Sequence, residues 1–329
     1  MQQRNPTMND VAREARVALK TVSRFVNGET NIDPVLGGRI QEAIVSLGYR
    51  RNLAAASLRP GWTSRTIGLI TSDLANPYYS ALARSIEEVA DAAGYLLITA
   101  SSEENGSRHD RLVERLMGQR VDGLIVVPPR DPGQDWSTVT PPVPPLVFLD
   151  RPAEFDQADI VIADNRGGAR DAVQALLAAG AKRVAFVGDS LDIYTMGERH
   201  AGYRDAVGMS RVASDLVATT ARTREQSTEA VASLLRAGTA DAVFAANNRS
   251  AIGALIAFRE AGRVLPLIGF DDFEAAPLVS PPVSVVSQDI DLMGRTAAEA
   301  LLRRIHEPEA EYSTQVLPTK LVLRGSELS

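Results

Sequence analysis

The chain has 329 residues, enough for two or three units with sizeable cores, and no cysteine, which excludes a disulfide framework and a Cys-ligated metal. No stretch approaches the roughly eighteen apolar residues of a membrane span, and Met1 to Pro6 contains no apolar run, so a cytoplasmic protein without a signal peptide is expected. The net charge of −6 hides an asymmetry: nine Lys/Arg against five Asp/Glu give +4 over residues 1–60 and leave −10 for the remainder, a basic head on an acidic body.

In chain order, Thr7 is placed to cap a first helix, with Asp10 three residues on and Val11, Ala12 and Ala15 as its apolar stripe. Only Arg16 to Ala18 separate it from a second helix within Leu19–Gly28. There Val22, Phe25 and Val26 turn one way, and Lys20, Ser23, Arg24 and Asn27 the other. Two short helices joined so tightly, the second with long polar side chains on its open face, form the helix-turn-helix pattern that reads the DNA major groove. An ordinary helical hairpin on an enzyme has the same spacing. Asp33 is expected to cap a third helix with Pro34 at its first position, Ile40, Ala43, Ile44 and Leu47 as its stripe and Gly48 at its end. Gly37 and Gly38 inside it weaken it by up to about 1 kcal/mol each. Asn52 to Leu58, rich in alanine and stopped by Pro60-Gly61, predicts a helix of about six residues, too short to stand alone and so expected to fold only against a partner.

Thr7-Met8-Asn9-Asp10-Val11-Ala12, Lys20-Thr21-Val22-Ser23-Arg24, Leu47-Gly48-Tyr49 and Asn52 with Ser57-Leu58 resemble the headpiece of the LacI/GalR family of lactose-repressor-like transcription regulators, and the resemblance runs through the whole chain. It implies that Leu19, Lys20 and Arg24 reach base edges, the last two suited to guanine O6/N7. It implies that Ser23, Asn27 and Asn52 fix register on phosphates or nearby edges, with Thr21, Tyr49 and Ala55 completing the contact set. The short helix becomes a hinge that pairs with its copy in the minor groove, where Leu58 wedges between base pairs. Two departures stand out. Arg16 occupies a turn position where the family often has glycine, so a left-handed backbone there is strained. Ala18 stands where serine usually opens the recognition helix, so one capping or phosphate contact is missing.

From Thr66 apolar strands alternate with helices: Ile67–Ile70, Tyr95–Ile98, Gly123–Val127, Leu146–Leu149 and Ile160–Ala163, then a second series at Val184–Val187, Ala242–Ala245 and Leu267–Phe270. Continuous apolar strands between helices predict parallel sheets covered on both faces, and two series predict two doubly wound lobes. Ligands of such sheets bind at the carboxyl ends of the strands, here the cleft between lobes. The polar groups at those ends resemble the ribose-type periplasmic sugar-binding fold that the family's core shares. The resemblance implies an effector site of Asn76, Tyr78, Tyr79, Asp150, Arg151, Arg199, Asn247, Phe270, Asp271 and Gln288. Asp150 and Asp271 would accept from sugar hydroxyls, the arginines, asparagines and Gln288 would donate, and Tyr78 or Tyr79 would lie against the ring. Asn248 replaces a frequent aspartate, and residues 219–224 lack the aromatic that would close the sugar sandwich. Arg222 or Arg224 there leaves room for an acidic sugar.

The expected fold is thus an α/β core of two doubly wound parallel-sheet lobes, of the periplasmic-binding-protein-like type I, behind an all-α helix-turn-helix domain. The expected divisions are a headpiece over 1–50, a hinge and linker over 51–65 and a core over 66–329. Its first lobe takes about 66–163 and 290–312, and its second 164–289 and 313–329. His109, His200 and His306 lie far apart without metal spacing, and neither a phosphate-binding glycine fingerprint nor a nucleophile elbow is present, so no enzyme, cofactor or metal is expected. The function expected is a sequence-specific DNA-binding transcription regulator, a repressor controlled by a small sugar. A sugar acid or purine effector is the alternative, and a free sugar receptor the weaker one. Its partners are a palindromic operator, the effector and a second copy. After Gln288 a helix near Leu292–Ile305 and one last strand, Val316–Leu323, lead to Ser329 with no heptad tail, hence dimers.

Overall fold

The computed structural model describes residues 6–29, 31–49, 63–131, 135–139, 143–210 and 216–329, and the chain divides into two units, before and after Ser64–Arg65. Asn52, Ala55 and Leu58 of the expected hinge lie outside the described residues. Among the described residues no helix is long and apolar enough to cross a membrane.

The first unit holds α1 (Met8–Ala15), α2 (Leu19–Val26) and α3 (Pro34–Leu47). Its helix ends follow the sequence closely. The Thr7 hydroxyl oxygen accepts the Asp10 N–H and the Asp10 carboxylate accepts the Thr7 N–H at 2.9 Å, a complete capping box. The Asp33 carboxylate accepts the N–H groups of Val35 and Leu36, and Gly48 ends α3 at φ 61°. Arg16 does adopt the left-handed region, at φ 52° and ψ 48°, which costs a non-glycine residue about 1 kcal/mol. The Arg39 guanidinium donates to the carbonyls of Ala15 and Arg16 and so satisfies acceptors that the end of α1 leaves open. Ala18 caps α2 without a side-chain bond, as expected. Val11, Val22 and Ile40 are fully buried at the centre, with Phe25, Val26, Ile44 and Leu47 packed around them.

The second unit contains two six-stranded sheets. The first holds β1 (Thr66–Thr71), β2 (Leu96–Ser101), β3 (Gly123–Val126), β4 (Leu146–Leu149) and β5 (Asp159–Ala163), flanked by α4 (Pro77–Ala92) and α5 (Gly106–Gly118). The chain then crosses into the second lobe with α6 (Asn165–Ala178), β6 (Val184–Val187), α7 (Tyr194–Ser210), β7 (Val217–Ala218), α8 (Arg224–Ala237), β8 (Ala242–Ala245), α9 (Asn248–Ala261), β9 (Leu267–Phe270) and β10 (Ser284–Gln288). It returns with α10 (Ile290–His306), which packs on the first sheet beside α4, and ends in β11 (Thr314–Leu317) and β12 (Thr319–Val322). The sheet orders are β11-β5-β4-β3-β1-β2 and β12-β10-β9-β8-β6-β7, the doubly wound order with its switch point beside β1 in one lobe and β6 in the other. The centre strands β3, β4, β6, β8 and β9 are buried along their whole length, which is why they read as unbroken apolar runs.

The last strand departs from expectation. Val316–Leu323 is two strands separated at Pro318: β11 lies parallel to β5 in the first sheet and β12 antiparallel to β10 in the second. Residues 314–317 therefore belong to the first lobe, and the assignment of 313–329 wholly to the second lobe is corrected. Proline has no N–H for a ladder, so the strand breaks there. The chain thus passes between lobes three times, near 164, 289 and 318.

Close packing of α6 on α7 depends on Gly202, where a Cβ would stand 2.1 Å from the Arg166 carbonyl oxygen. Gly202→Ala forces these helices apart. It is expected to lower the unfolding free energy of the core by about 1–3 kcal/mol, read as a lower urea midpoint at unchanged slope.

Candidate functional site

The strands β4 and β9 occupy equivalent places in their sheets, and each is followed by an aspartate with left-handed backbone, Asp150 at φ 68° and Asp271 at φ 67°. Each is pinned by its own amide, Asp150 donating to the Val161 carbonyl and Asp271 to the Val286 carbonyl, both at 2.9 Å. Aspartate tolerates this region better than most residues, and strain held in place by the next strand is characteristic of functional positions. Both carboxylates line one cavity of about 630 Å³ between the lobes, within the range of small-molecule sites, about 300–1,000 Å³.

In the first lobe Asp150 accepts the hydroxyls of Tyr78 at 3.1 Å and Tyr79 at 3.0 Å. Both tyrosines stand on the first turn of α4, and their rings meet edge to face at 5.0 Å. Burial holds the Asp150 carboxyl above its ordinary range against the pull of Arg151 and Arg199. Burial, reinforced by Asp150, also raises both phenols, which therefore stay neutral donors. Arg151 forks onto Glu104 at 3.0 and 2.7 Å. Burial pushes Glu104 upward, but Arg151 and Arg130 outweigh it and hold its carboxyl below the usual value.

In the second lobe Arg199 is the organiser. Its guanidinium makes two bonds to Asp271 at 3.1 and 3.2 Å, one to the Ala246 carbonyl at 2.7 Å and one to Asn165 at 2.8 Å, and it lies 3.7 Å over the Phe270 ring. Gln288 donates to Asp271 at 2.6 Å.

Among the described residues four polar contacts cross the cleft. The Tyr78 hydroxyl lies 3.2 Å from the Gln288 Oε1, and Asn248 donates to Asn76 at 2.9 Å. Arg130 meets both oxygens of Asp189 at 3.1 and 3.2 Å, and Arg249 pairs with Asp73. The cleft is a set of polar groups from both lobes that are already bonded to one another.

Eight of the expected residues line the cavity: Asn76, Tyr78, Tyr79, Asp150, Arg151, Arg199, Asn247 and Asp271. Gln288 stands behind Asp271. Phe270 is fully buried beneath Arg199. The two aspartates, expected to accept from sugar hydroxyls, here accept from Tyr78 and Tyr79 and from Arg199 and Gln288. A carboxylate offers about four lone-pair sites, so each keeps capacity for a ligand. Asn76 and Asn247 cap α4 and α9 with their side-chain oxygens, which leaves their amide N–H groups as the available donors. Arg222 lines the cavity, but Arg224 is paired with Glu225 outside it. Glu104, Arg130 and Asp189 were missed, although each stands within four residues of the end of β2, β3 or β6, where the strand-end rule finds them. Nothing in the sequence marked Ile193 and Met196, the large aliphatic side chains of the lining.

In the first unit Leu19 is 46 % exposed, Lys20 and Asn27 are exposed, and Thr21, Ser23 and Arg24 are half-buried. Arg24 is engaged by Glu29 at 2.7 Å and by Asn31, so it reaches a base only by exchanging these partners. Tyr49, counted among the DNA contacts, is buried in the core of that unit.

Residues 7–52 match the bacterial regulatory proteins of the lacI family, and residues 173–327 match the periplasmic binding protein-like domain. The HTH-type transcriptional regulator CelR of Thermobifida fusca is 33% identical over 98% of each chain. The ribose operon repressor of Escherichia coli (strain K12) is 32% identical over 97% of this chain and 99% of its own. Among solved structures, the lac repressor dimer bound to operator and the anti-inducer ONPF aligns with a TM-score of 0.85 at 27% identity, covering 99% of this chain and all of that one. A CelR–cellobiose complex aligns at 0.74 and 31% identity, covering 98% of this chain and all of that one.

The Glu104 carboxyl gives a pH test. Its pKa is lower folded than unfolded, so its contribution to stability is complete above the unfolded value of about 4.5 and fades as pH falls through the folded one. Glu104→Gln is expected to lower the thermal midpoint at pH 7, with the difference from the parent protein shrinking toward pH 4 and below.

Proposed function

The chain belongs to the lacI family of bacterial regulatory proteins, and we propose that it is a repressor whose hold on DNA is set by a small neutral sugar in the cleft. As in its relatives, DNA binding and control of transcription are the activity. The observation that carries the effector reading is the convergence of strand-end polar side chains from both lobes on one cavity. What favours a neutral ligand is the charge pairing there: Arg151 with Glu104, Arg199 with Asp271, Arg130 with Asp189 and Arg249 with Asp73. An acidic sugar must displace a carboxylate already in place, whereas hydroxyls add to donors and acceptors without changing the charge balance. The cellobiose complex of the CelR relative and the ribose operon repressors among its relatives point the same way.

In this reading two headpieces, residues 1–50, sit on the half-sites of a palindromic operator, each presenting Leu19, Lys20 and Arg24 to base edges. The 51–65 hinge places Leu58 in the minor groove. The core over residues 66–329 dimerises and binds the effector. The protein acts in the cytoplasm by binding alone, without a catalytic step, metal or cofactor. A sugar changes operator affinity only as far as it prefers one arrangement of the lobes, and DNA changes sugar affinity by the same factor.

The reading is tested by thermal shift against neutral sugars, sugar acids and purines, since a ligand of the native state raises the midpoint. A shift from at least one neutral sugar is expected; shifts confined to sugar acids or purines overturn the neutral-sugar assignment. Asp271→Asn is expected to weaken that sugar by at least about tenfold while changing ligand-free operator affinity by less than about threefold. Leu58→Gly is expected to do the reverse, reducing specific operator binding by more than about tenfold with the sugar-induced shift intact. Equal operator affinity of the Leu58→Gly protein removes the wedge from the proposal.

A further inference from the structure

Asn76 and Asn248 face each other across the cleft, and hydrogen-bond chemistry fixes which way both amides point. Asn76 is the N-cap of α4, and its Oδ1 accepts the Tyr78 N–H at 3.2 Å. Turning that amide over would aim an NH₂ group at the N–H and lose the cap, so its oxygen is locked on this side. The same oxygen is 2.9 Å from the Asn248 side chain, so the group facing it must be the donor Nδ2. Asn248 then has one orientation. Its Oδ1 is left buried without a partner among the described residues, in a residue only 6% exposed that lines the cavity. A buried acceptor without a donor is costly, about 1–3 kcal/mol, and the cavity that Asn248 lines is the space beside it from which a ligand can supply one.

We propose that Asn248 is a specificity-determining residue: its Oδ1 accepts a hydrogen bond from a hydroxyl of the effector, while its Nδ2 carries that contact to Asn76 in the opposite lobe. Asn248 opens α9 in the second lobe and Asn76 opens α4 in the first, so one planar amide joins the ligand to both lobes. An aspartate at this position would still accept from a hydroxyl but would set oxygen against oxygen at Asn76. Asparagine therefore selects a ligand with a donor here and favours the arrangement in which the two helix starts are held together. A carboxylate or phosphate oxygen at this point would meet an acceptor and be rejected. The inference rests on the neutral-sugar reading and adds to it one named contact and its link across the cleft.

The test uses the full chain with D-ribose, D-glucose and cellobiose, followed by thermal shift and titration calorimetry. Asn248→Ala removes an unpartnered acceptor together with one hydrogen bond, so without sugar it is expected to unfold within about 2 °C of the parent protein. It should bind the effective sugar at least about tenfold more weakly. Singly deoxygenated analogues of that sugar supply a second measurement on the unaltered protein. One of them is expected to lose about tenfold there and less than about twofold on Asn248→Ala, the mark of a direct contact. Equal sugar affinity in parent and variant, or no analogue of the series that loses more than about twofold on the parent protein, overturns the role of Asn248 and leaves the neutral-sugar effector standing. Failure of every neutral sugar to shift the parent protein overturns both.

Discussion

The buried pairing of Arg199 with Asp271 is the interaction on which the cleft depends. At 3% exposure, a guanidinium with no partner would be strongly destabilising, and here its donors go to the ends of β8 and β9 and to the first residue of α6. Three elements distant in sequence are thereby fixed to one planar group. The Phe270 ring beneath that plane leaves the side chain little freedom to turn. Breaking such a pair by removing one member costs about 3–5 kcal/mol, because the other charge stays buried. The position of the Asp271 carboxylate in the cavity is therefore set by the second lobe before any ligand arrives.

The first lobe solves the same problem with different chemistry. Asp150 has the same backbone conformation as Asp271, but its hydrogen bonds come from tyrosine hydroxyls, with the Arg151 guanidinium farther off at 3.6 Å. Burial outweighs the pull of Arg151 and Arg199 and leaves this carboxyl above its ordinary range. Tyr78 then joins the halves: one hydroxyl lies within hydrogen-bond distance of Asp150 in one lobe and of Gln288 in the other. It has a single proton to give, so it cannot donate to both oxygens at once. The same hydroxyl thus has one possible acceptor in each lobe. The Arg130–Asp189 and Arg249–Asp73 pairs lie nearer solvent and add less.

Two physical patterns were legible in the sequence. Helix ends in the first unit were read from Thr7 with Asp10, Asp33 with Pro34, and Gly48, because capping is a local exchange between a side chain and the next turn. The strands were read as apolar runs because parallel strands buried on both faces leave no polar alternation. The strand-end rule then located most of the cleft. Glu104, Arg130 and Asp189 also lie within its reach, past the ends of β2, β3 and β6, whereas the place of Tyr49 in the headpiece core depends on packing between helices. The final strand was read as one because its apolar pattern spans Pro318; that it serves two sheets is a matter of topology.

What the sequence determined by itself was the set of elements, the location of the polar side chains at strand ends, and the separation of a basic head from an acidic body. These follow from interactions within a few residues of one another and from composition. The tertiary structure decided which polar groups satisfy one another. That Arg151 bonds Glu104, that Tyr78 and Tyr79 both reach Asp150, and that Asn248 meets Asn76 are pairings across tens to hundreds of residues, set by how two sheets face each other. Hydrogen-bond direction and burial act only once those neighbours are in place, so the vacant acceptor at Asn248 is a property of the folded chain alone.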